Sequence, residues 1–184
     1  RARGQEELIV TGGNAPNVAG SVRPHAAKMT TKEEADQHKV ITDAVHKEGG
    51  KICLQILHAG RYAYHPNLVG PSPIKAPINF FTPKELSSEE VWQTVQDYAN
   101  TAALAQSAGY DGVEVMGSEG YLINQFIVKR TNHREDEWGG SYENRIKFPI
   151  EIVKQTRAKV GPNFIIIYRL SMLDLVDGGC CWDE

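Results

Sequence analysis

The chain has 184 residues, 20 Lys+Arg against 23 Asp+Glu, and a formal charge of −3. Its 41% hydrophobic and 23% charged content is ordinary for a folded globular domain and excludes a disordered chain, and the near balance of charge leaves no basic footprint for nucleic acid. One domain is expected at this length, with a core that needs no disulfide or metal, and the apolar run Phe164 to Ile167 is far short of the ~20 residues that cross a membrane.

In chain order, Leu8-Ile9-Val10-Thr11 is a short β-branched run that stops at Gly12-Gly13 and predicts a buried strand. After a Gly-, Pro- and Ala-rich loop, Thr31 with Glu34 has capping-box spacing. Val40, Ile41, Ala44 and Val45 then recur at helical spacing, and Gly49-Gly50 stops the helix. Ile52 to Leu57 predicts the second strand. From His58 to Leu86 there are five prolines and no clear period, which predicts a long loop, either functional or disordered. Ser87 with Glu90 repeats the capping logic, and Val91, Val95, Ala99, Ala102 and Ala105 form the inner stripe of a helix ended by Gly109.

Gly112 to Met116 is the third strand, followed by a long polar segment over about 117–140. Ser141 predicts the cap of a third helix carrying Ile146, Ile150, Val153 and Val160, and Phe164 to Leu170 the fourth strand. The βαβαβαβ order predicts an α/β fold with a parallel sheet and right-handed crossovers. Two closures are open, a doubly wound sheet or a (β/α)8 barrel. The long loops all follow strands, which is where a barrel places its functional face, and four strands are half of one.

The polar start, Arg1 to Glu7, holds no apolar leader core, and three Cys, with Cys53 inside a strand-like run, make a poor disulfide framework. A reducing, cytoplasmic compartment is therefore expected. With no Met at position 1 and a last segment running out of a loop, both ends read as cuts.

Several residues could carry chemistry. Gln55 is an amide in an apolar strand; taken alone it reads first as a core amide satisfied by backbone, and it also suits a ligand edge of alternating C=O and N–H. Arg169 closes an apolar run and is expected to be a buried cation in need of a partner, either an anionic ligand or a carboxylate such as Glu114. Tyr121, in Gly117-Ser118-Glu119-Gly120-Tyr121, could protonate a carbanion beside a carbonyl, or simply pack. Lys129, Arg130 and Arg134 read as a basic cluster, either solvated or holding the phosphates of an acyl carrier. His58 is the histidine placed to line a site. Cys180-Cys181 lacks metal-ligand spacing, and no metal site is expected.

Four segments, Leu54-Gln55-Ile56-Leu57-His58-Ala59-Gly60-Arg61, Gly109 to Val115, Gly120-Tyr121-Leu122-Ile123-Asn124-Gln125-Phe126, and Thr131-Asn132-His133-Arg134 with Trp138-Gly139-Gly140-Ser141-Tyr142-Glu143-Asn144-Arg145, together resemble the old yellow enzyme family. The resemblance covers nearly the whole chain. It implies a partial TIM (β/α)8 barrel, a fragment over residues 1–184 of about four βα units (roughly the second to fifth strands) of an FMN-dependent oxidoreductase. Many members place a His-Asn or His-His pair after the third strand to hold a substrate carbonyl; here Met116 and Glu119 stand there. Glu114 to Tyr121, with Ile165 to Asp174, resembles the family's bacterial-type NADPH 2,4-dienoyl-CoA reductases.

That resemblance implies that Gly12, Gln55 and Arg169 contact FMN, that Tyr121 is the proton donor, and that Arg130 contacts an acyl-CoA substrate. FMN hydride would go to the δ-carbon of a dienoyl thioester, with protonation at the α-carbon. Electrons would arrive from NADPH through FAD and a 4Fe–4S cluster in parts absent here. Relatives with other substrates, such as enones or amines, share the same fold. The resemblance also implies that the 184 residues alone bind FMN poorly and reduce nothing.

Overall fold

The structure, a computed structural model, describes residues 2–4 and 6–184. The main sheet comprises β1 (Leu8–Val10), β2 (Lys51–Ile56), β5 (Gly112–Gly117) and β6 (Ile165–Leu170), all parallel, in the order β1-β2-β5-β6. The crossovers carry α1 (Lys32–Lys47), α2 (Ser88–Ser107) and α5 (Lys147–Val160). Both expected capping boxes form: the Thr31 and Ser87 side chains accept from the N–H groups of Glu34 and Glu90, whose carboxylates reach back. Gly49, at φ 80°, supplies the left-handed turn that ends α1.

One face of the sheet is covered by helices and the other is not. Ile52, Leu54, Ile56, Val113 and Val115 share a core with Ala35 of α1, Val91, Val95 and Tyr98 of α2, and Phe148 and Ile152 of α5. Strand alternation sends Leu8, Val10, Gln55, Glu114, Met116, Ile167 and Arg169 to the opposite face. Leu8 and Val10 are 42% and 37% exposed there. A doubly wound sheet would bury both faces under helices, so the one-sided cover selects an open part of a barrel.

The α2 stripe is buried as its spacing predicts. The α1 stripe is not: Val40, Ile41 and Ala44 lie exposed and Val45 is half-buried, while Ala35 and Thr42 face inward. Thr42 belongs there because its hydroxyl donates to the Ala108 carbonyl at 2.7 Å, docking α1 on the end of α2. The third helix is split. Ser141 caps α4 (Tyr142–Arg145), and α5 restarts after Ile146. Pro149 explains the break, since it has no N–H for the Arg145 carbonyl and its ring crowds that group. The inward face of α5 is Phe148, Ile152, Thr156 and Val160; Ile150, expected inside, is 53% exposed. It lines an apolar groove of about 720 Å³ between α5 and the outer edge of β6, with Val153, Ile166 and Tyr168.

The two long connections are partly structured. The first holds the two-stranded β3 (Val69–Gly70) and β4 (Lys84–Glu85). The second, read as polar, contains α3 (Leu122–Ile127), whose six residues are all buried. Among the described residues no helix is long and apolar enough to cross a membrane. Cys53, Cys180 and Cys181 are all free.

At the opposite end of the strands, Asp111 accepts from the Ile52 N–H at 2.9 Å and from Lys51 Nζ at 3.3 Å, and pairs with His46 at 2.8 Å. Burial raises its pKa, but the His46, Ile52 and Lys51 hydrogen bonds outweigh it and hold the carboxyl below its ordinary value. A depressed folded-state pKa contributes stability above the unfolded value, near pH 4, which is lost as pH falls through the folded value. Asp111→Asn is expected to destabilise by roughly 1–3 kcal/mol at pH 7 and to flatten the acid limb. Urea midpoints from pH 7 to pH 3 check this; parallel wild-type and variant curves would refute it.

Candidate active site

The helix-free face carries polar side chains in two rows. In the first, Gln55 stands opposite Glu114, which stands opposite Ile167. Gln55 Nε2 donates to Glu114 Oε1 at 2.7 Å, and Glu114 is only 8% exposed. The Gln55 NH2 is thus held by a side chain and not by backbone, and the amide oxygen is left free. Its own backbone N–H donates to Thr11 Oγ1 at 3.1 Å. Two residues farther toward the C-terminal ends, Met116 stands opposite Arg169.

Arg169 differs from expectation. It is not buried but half-exposed, and its partner is Glu119 at 2.7 Å, not Glu114. The register explains the switch: Glu114 lies two residues away along the sheet, about 6.6 Å, and is occupied by the directly opposed Gln55. Glu119, at φ 62°, turns back from the loop after β5, with its N–H held by Ser171 Oγ at 3.0 Å.

Tyr121 precedes α3 at its N-cap and packs, half-buried, on the cluster of Leu57, Ala59, Ala63, Leu68 and Met116. Leu57 and Met116 lie on the helix-free face toward the C-terminal strand ends, so Tyr121 caps that face. Its ring meets Tyr62 edge-on, with centroids 6.2 Å apart. At the first turn, Gly12 is exposed, and a side chain there would meet nothing within 4 Å. Gly13 is the crowded one: a Cβ would come within 2.8 Å of Leu57 Cβ and 3.2 Å of Gln55 Oε1. Sequence reasoning passed over Gly13 in favour of Gly12.

The basic cluster breaks apart. Arg130 is exposed and lines a hollow of about 450 Å³ with Arg61, Tyr62, Glu119, Gly120 and Asn124. Arg134 is instead buried, holding Asp136 and the Pro71 and Leu86 carbonyls, and Lys129 pairs with Glu184 at 3.1 Å. Arg61, which sequence reasoning left without a role, brings a second guanidinium to the hollow; its Nε is buried without a partner. The Gly60-Arg61 sequence carries the signal, a cation just past a strand end.

His58 is fully buried, not site-lining. Burial, with the neighbouring His65, pushes its pKa down to about 3, and Nδ1 accepts the Gly60 N–H at 3.1 Å. It is a neutral packing residue under Gly20, where a Cβ would meet its ring at 2.7 Å. No group of three or more His, Cys, Asp or Glu among the described residues is arranged to hold a metal.

These features fit a flavin. A free amide carbonyl on Gln55, open space over Gly12 and a guanidinium farther along the same face match an imide edge, a close-approaching ring and an anionic reduced form.

Known proteins give the same frame. The model of the NADH:flavin oxidoreductase / NADH oxidase family matches residues 1–183. An N,N-dimethylglycine/sarcosine dehydrogenase of Chromohalobacter salexigens is 37% identical over 177 residues, which are 92% of this chain and 26% of that protein. A 2-naphthoyl-CoA reductase in complex with 2-naphthoyl-CoA superposes with TM-score 0.92 at 31% identity, over 98% of this chain and 30% of that one. An old yellow enzyme homologue from Zymomonas mobilis superposes with TM-score 0.87 at 30% identity, over 97% of this chain and 55% of that one. The chain thus spans between about a quarter and about half the length of these relatives, and its open sheet is part of a TIM barrel. With that match along nearly its whole length, the chain belongs to the NADH:flavin oxidoreductase / NADH oxidase family, the old yellow enzymes.

Proposed function

We propose that the whole protein is an FMN-dependent, NADPH-consuming reductase of 2,4-dienoyl-CoA thioesters. The observation that carries the reading is the helix-free face itself, with Gln55, Glu114, Met116 and Arg169 along it and Tyr121 at its C-terminal end. When bound, FMN supplies a hydride to the δ-carbon of the dienoyl thioester. Gln55 holds the flavin's imide edge, Gly12 lets the ring approach, and Arg169 offsets negative charge on the reduced ring. Tyr121 delivers the proton to the α-carbon, and Arg130 faces the acyl-CoA. FAD and the 4Fe–4S cluster of such reductases lie, in this reading, in regions outside these 184 residues, and the location is cytoplasmic.

The substrate class rests on two features. Met116 is apolar and 4% exposed, and Glu119 is ion-paired with Arg169, so neither offers a neutral donor pair for an enone oxygen. The solved 2-naphthoyl-CoA complex binds an acyl-CoA on a closely similar frame. A second reading, amine oxidation, is favoured by the 37% identity to the dimethylglycine/sarcosine dehydrogenase.

Stopped-flow absorbance separates the readings. The reduced protein is expected to be reoxidised by 2,4-dienoyl-CoA faster than by cyclohexenone, and the oxidised flavin is not bleached by sarcosine. Fast reoxidation by cyclohexenone with none by the thioester, or bleaching by sarcosine, would overturn the dienoyl-CoA assignment.

A further inference from the structure

We propose that Glu114 is a positioning residue: its carboxylate orients the Gln55 amide so that the carbonyl Oε1 is free on the ligand face, making the site selective for a ligand edge that presents an N–H donor. This rests on the flavin reading above and deepens it, since the donor is then the flavin imide N–H. A side-chain amide has two nearly isosteric orientations, and only its partners decide between them. A carboxylate has no proton to give, so it accepts only from the amide NH2. The bond from Gln55 Nε2 to Glu114 Oε1 is 2.7 Å, and Glu114 is 8% exposed, so little water competes. The reversed amide would set two oxygens against each other at that distance.

The surroundings support the fixed orientation. Gln55 and Glu114 are directly opposed across parallel strands, so their side chains leave the sheet together. The Gln55 backbone is pinned by Thr11 Oγ1 at 3.1 Å. On its other side, Oε1 lies 3.2 Å from where a Cβ at residue 13 would sit, and Gly13 keeps that side open. A ligand carrying only acceptors there would leave Oε1 facing another lone pair.

The test compares binding of FMN and N3-methyl-FMN to the flavin-free whole protein, followed by fluorescence quenching. Wild type is expected to favour FMN by about tenfold or more, since one buried hydrogen bond is lost and its acceptor left unpaired. In Glu114→Ala the preference is expected to fall below about threefold, because the freed amide can turn its NH2 to the ligand. In Gln55→Ala the preference falls likewise, and adding Glu114→Ala changes it no further. A merely structural carboxylate would lower stability without moving this ratio. If Glu114→Ala does not fold, the isosteric Glu114→Gln is read the same way, with an intermediate preference expected. If wild type discriminates and the Glu114 variants discriminate equally, this inference fails and the flavin reading stands. If wild type binds neither flavin, both fail.

Discussion

Tyr121→Phe in the whole protein is expected to slow reoxidation of the reduced flavin by dienoyl-CoA by about 10²–10⁴-fold, the usual contribution of a positioned acid, while flavin reduction by NADPH keeps its wild-type rate. The split follows from what the hydroxyl does in the proposed reaction. Hydride reaching the δ-carbon leaves electron density at the α-carbon beside the thioester carbonyl, and only that half-reaction needs a proton. The substitution is also structurally mild. Phe keeps the edge-on contact with Tyr62 and the packing on Leu57 and Met116. The backbone of residue 121, which accepts the Gln125 N–H at 2.9 Å, is untouched. Single-turnover stopped-flow reads each half separately, so a slow product-release step cannot hide the effect. Equal reoxidation rates in wild type and variant would remove Tyr121 from the role of proton donor.

Arg145→Met is expected to destabilise the fold by roughly 3–5 kcal/mol, the range for removing one partner of a buried ion pair. Arg145 is 1% exposed. Its Nε donates to the Ile127 carbonyl at 2.6 Å, Nη1 to the Gly140 carbonyl at 2.8 Å and Nη2 to Glu184 Oε1 at 2.5 Å. One guanidinium thus ties together the end of α3, the turn before α4 and the last residue of the chain. Met fills the volume but donates nothing, leaving two buried carbonyls without their donors and Glu184 with Lys129 alone. At this size each kcal/mol is about 2–4 °C, so the melting temperature should fall by roughly 6–20 °C. Arg145→Lys keeps the charge but not the fork, and should fall between. Urea and thermal midpoints check both; a loss under about 1 kcal/mol in Arg145→Met would contradict the staple.

Much of the frame was written locally. The Thr31–Glu34 and Ser87–Glu90 boxes mark helix starts because their hydrogen bonds join residues three apart, and the five-residue stripe of α2 survives folding because α2 lies across the covered face. Residue chemistry marks Gln55, Tyr121 and Arg169 as candidates, and motif spacing carries the family and their roles. Local pattern failed where a neighbour decided the matter. The helix α3 lies inside a segment that reads as polar along most of its length, although Leu122, Ile123 and Phe126 have helical spacing. Val40 and Ile150 are apolar but lie on helix flanks turned away from the core.

The order of elements, their caps and the residue types able to hold a flavin or move a proton belong to the sequence by itself, because each depends on residues near one another in the chain. Tertiary structure alone decided which polar groups meet. Register set Glu114 opposite Gln55 and left Arg169 to Glu119, while the packing of the loops sent Arg134 inward and Arg130 outward. Such pairings join residues 48 to 63 positions apart, and a shift of one residue in β2 would turn Gln55 to the other face of the sheet, away from Glu114.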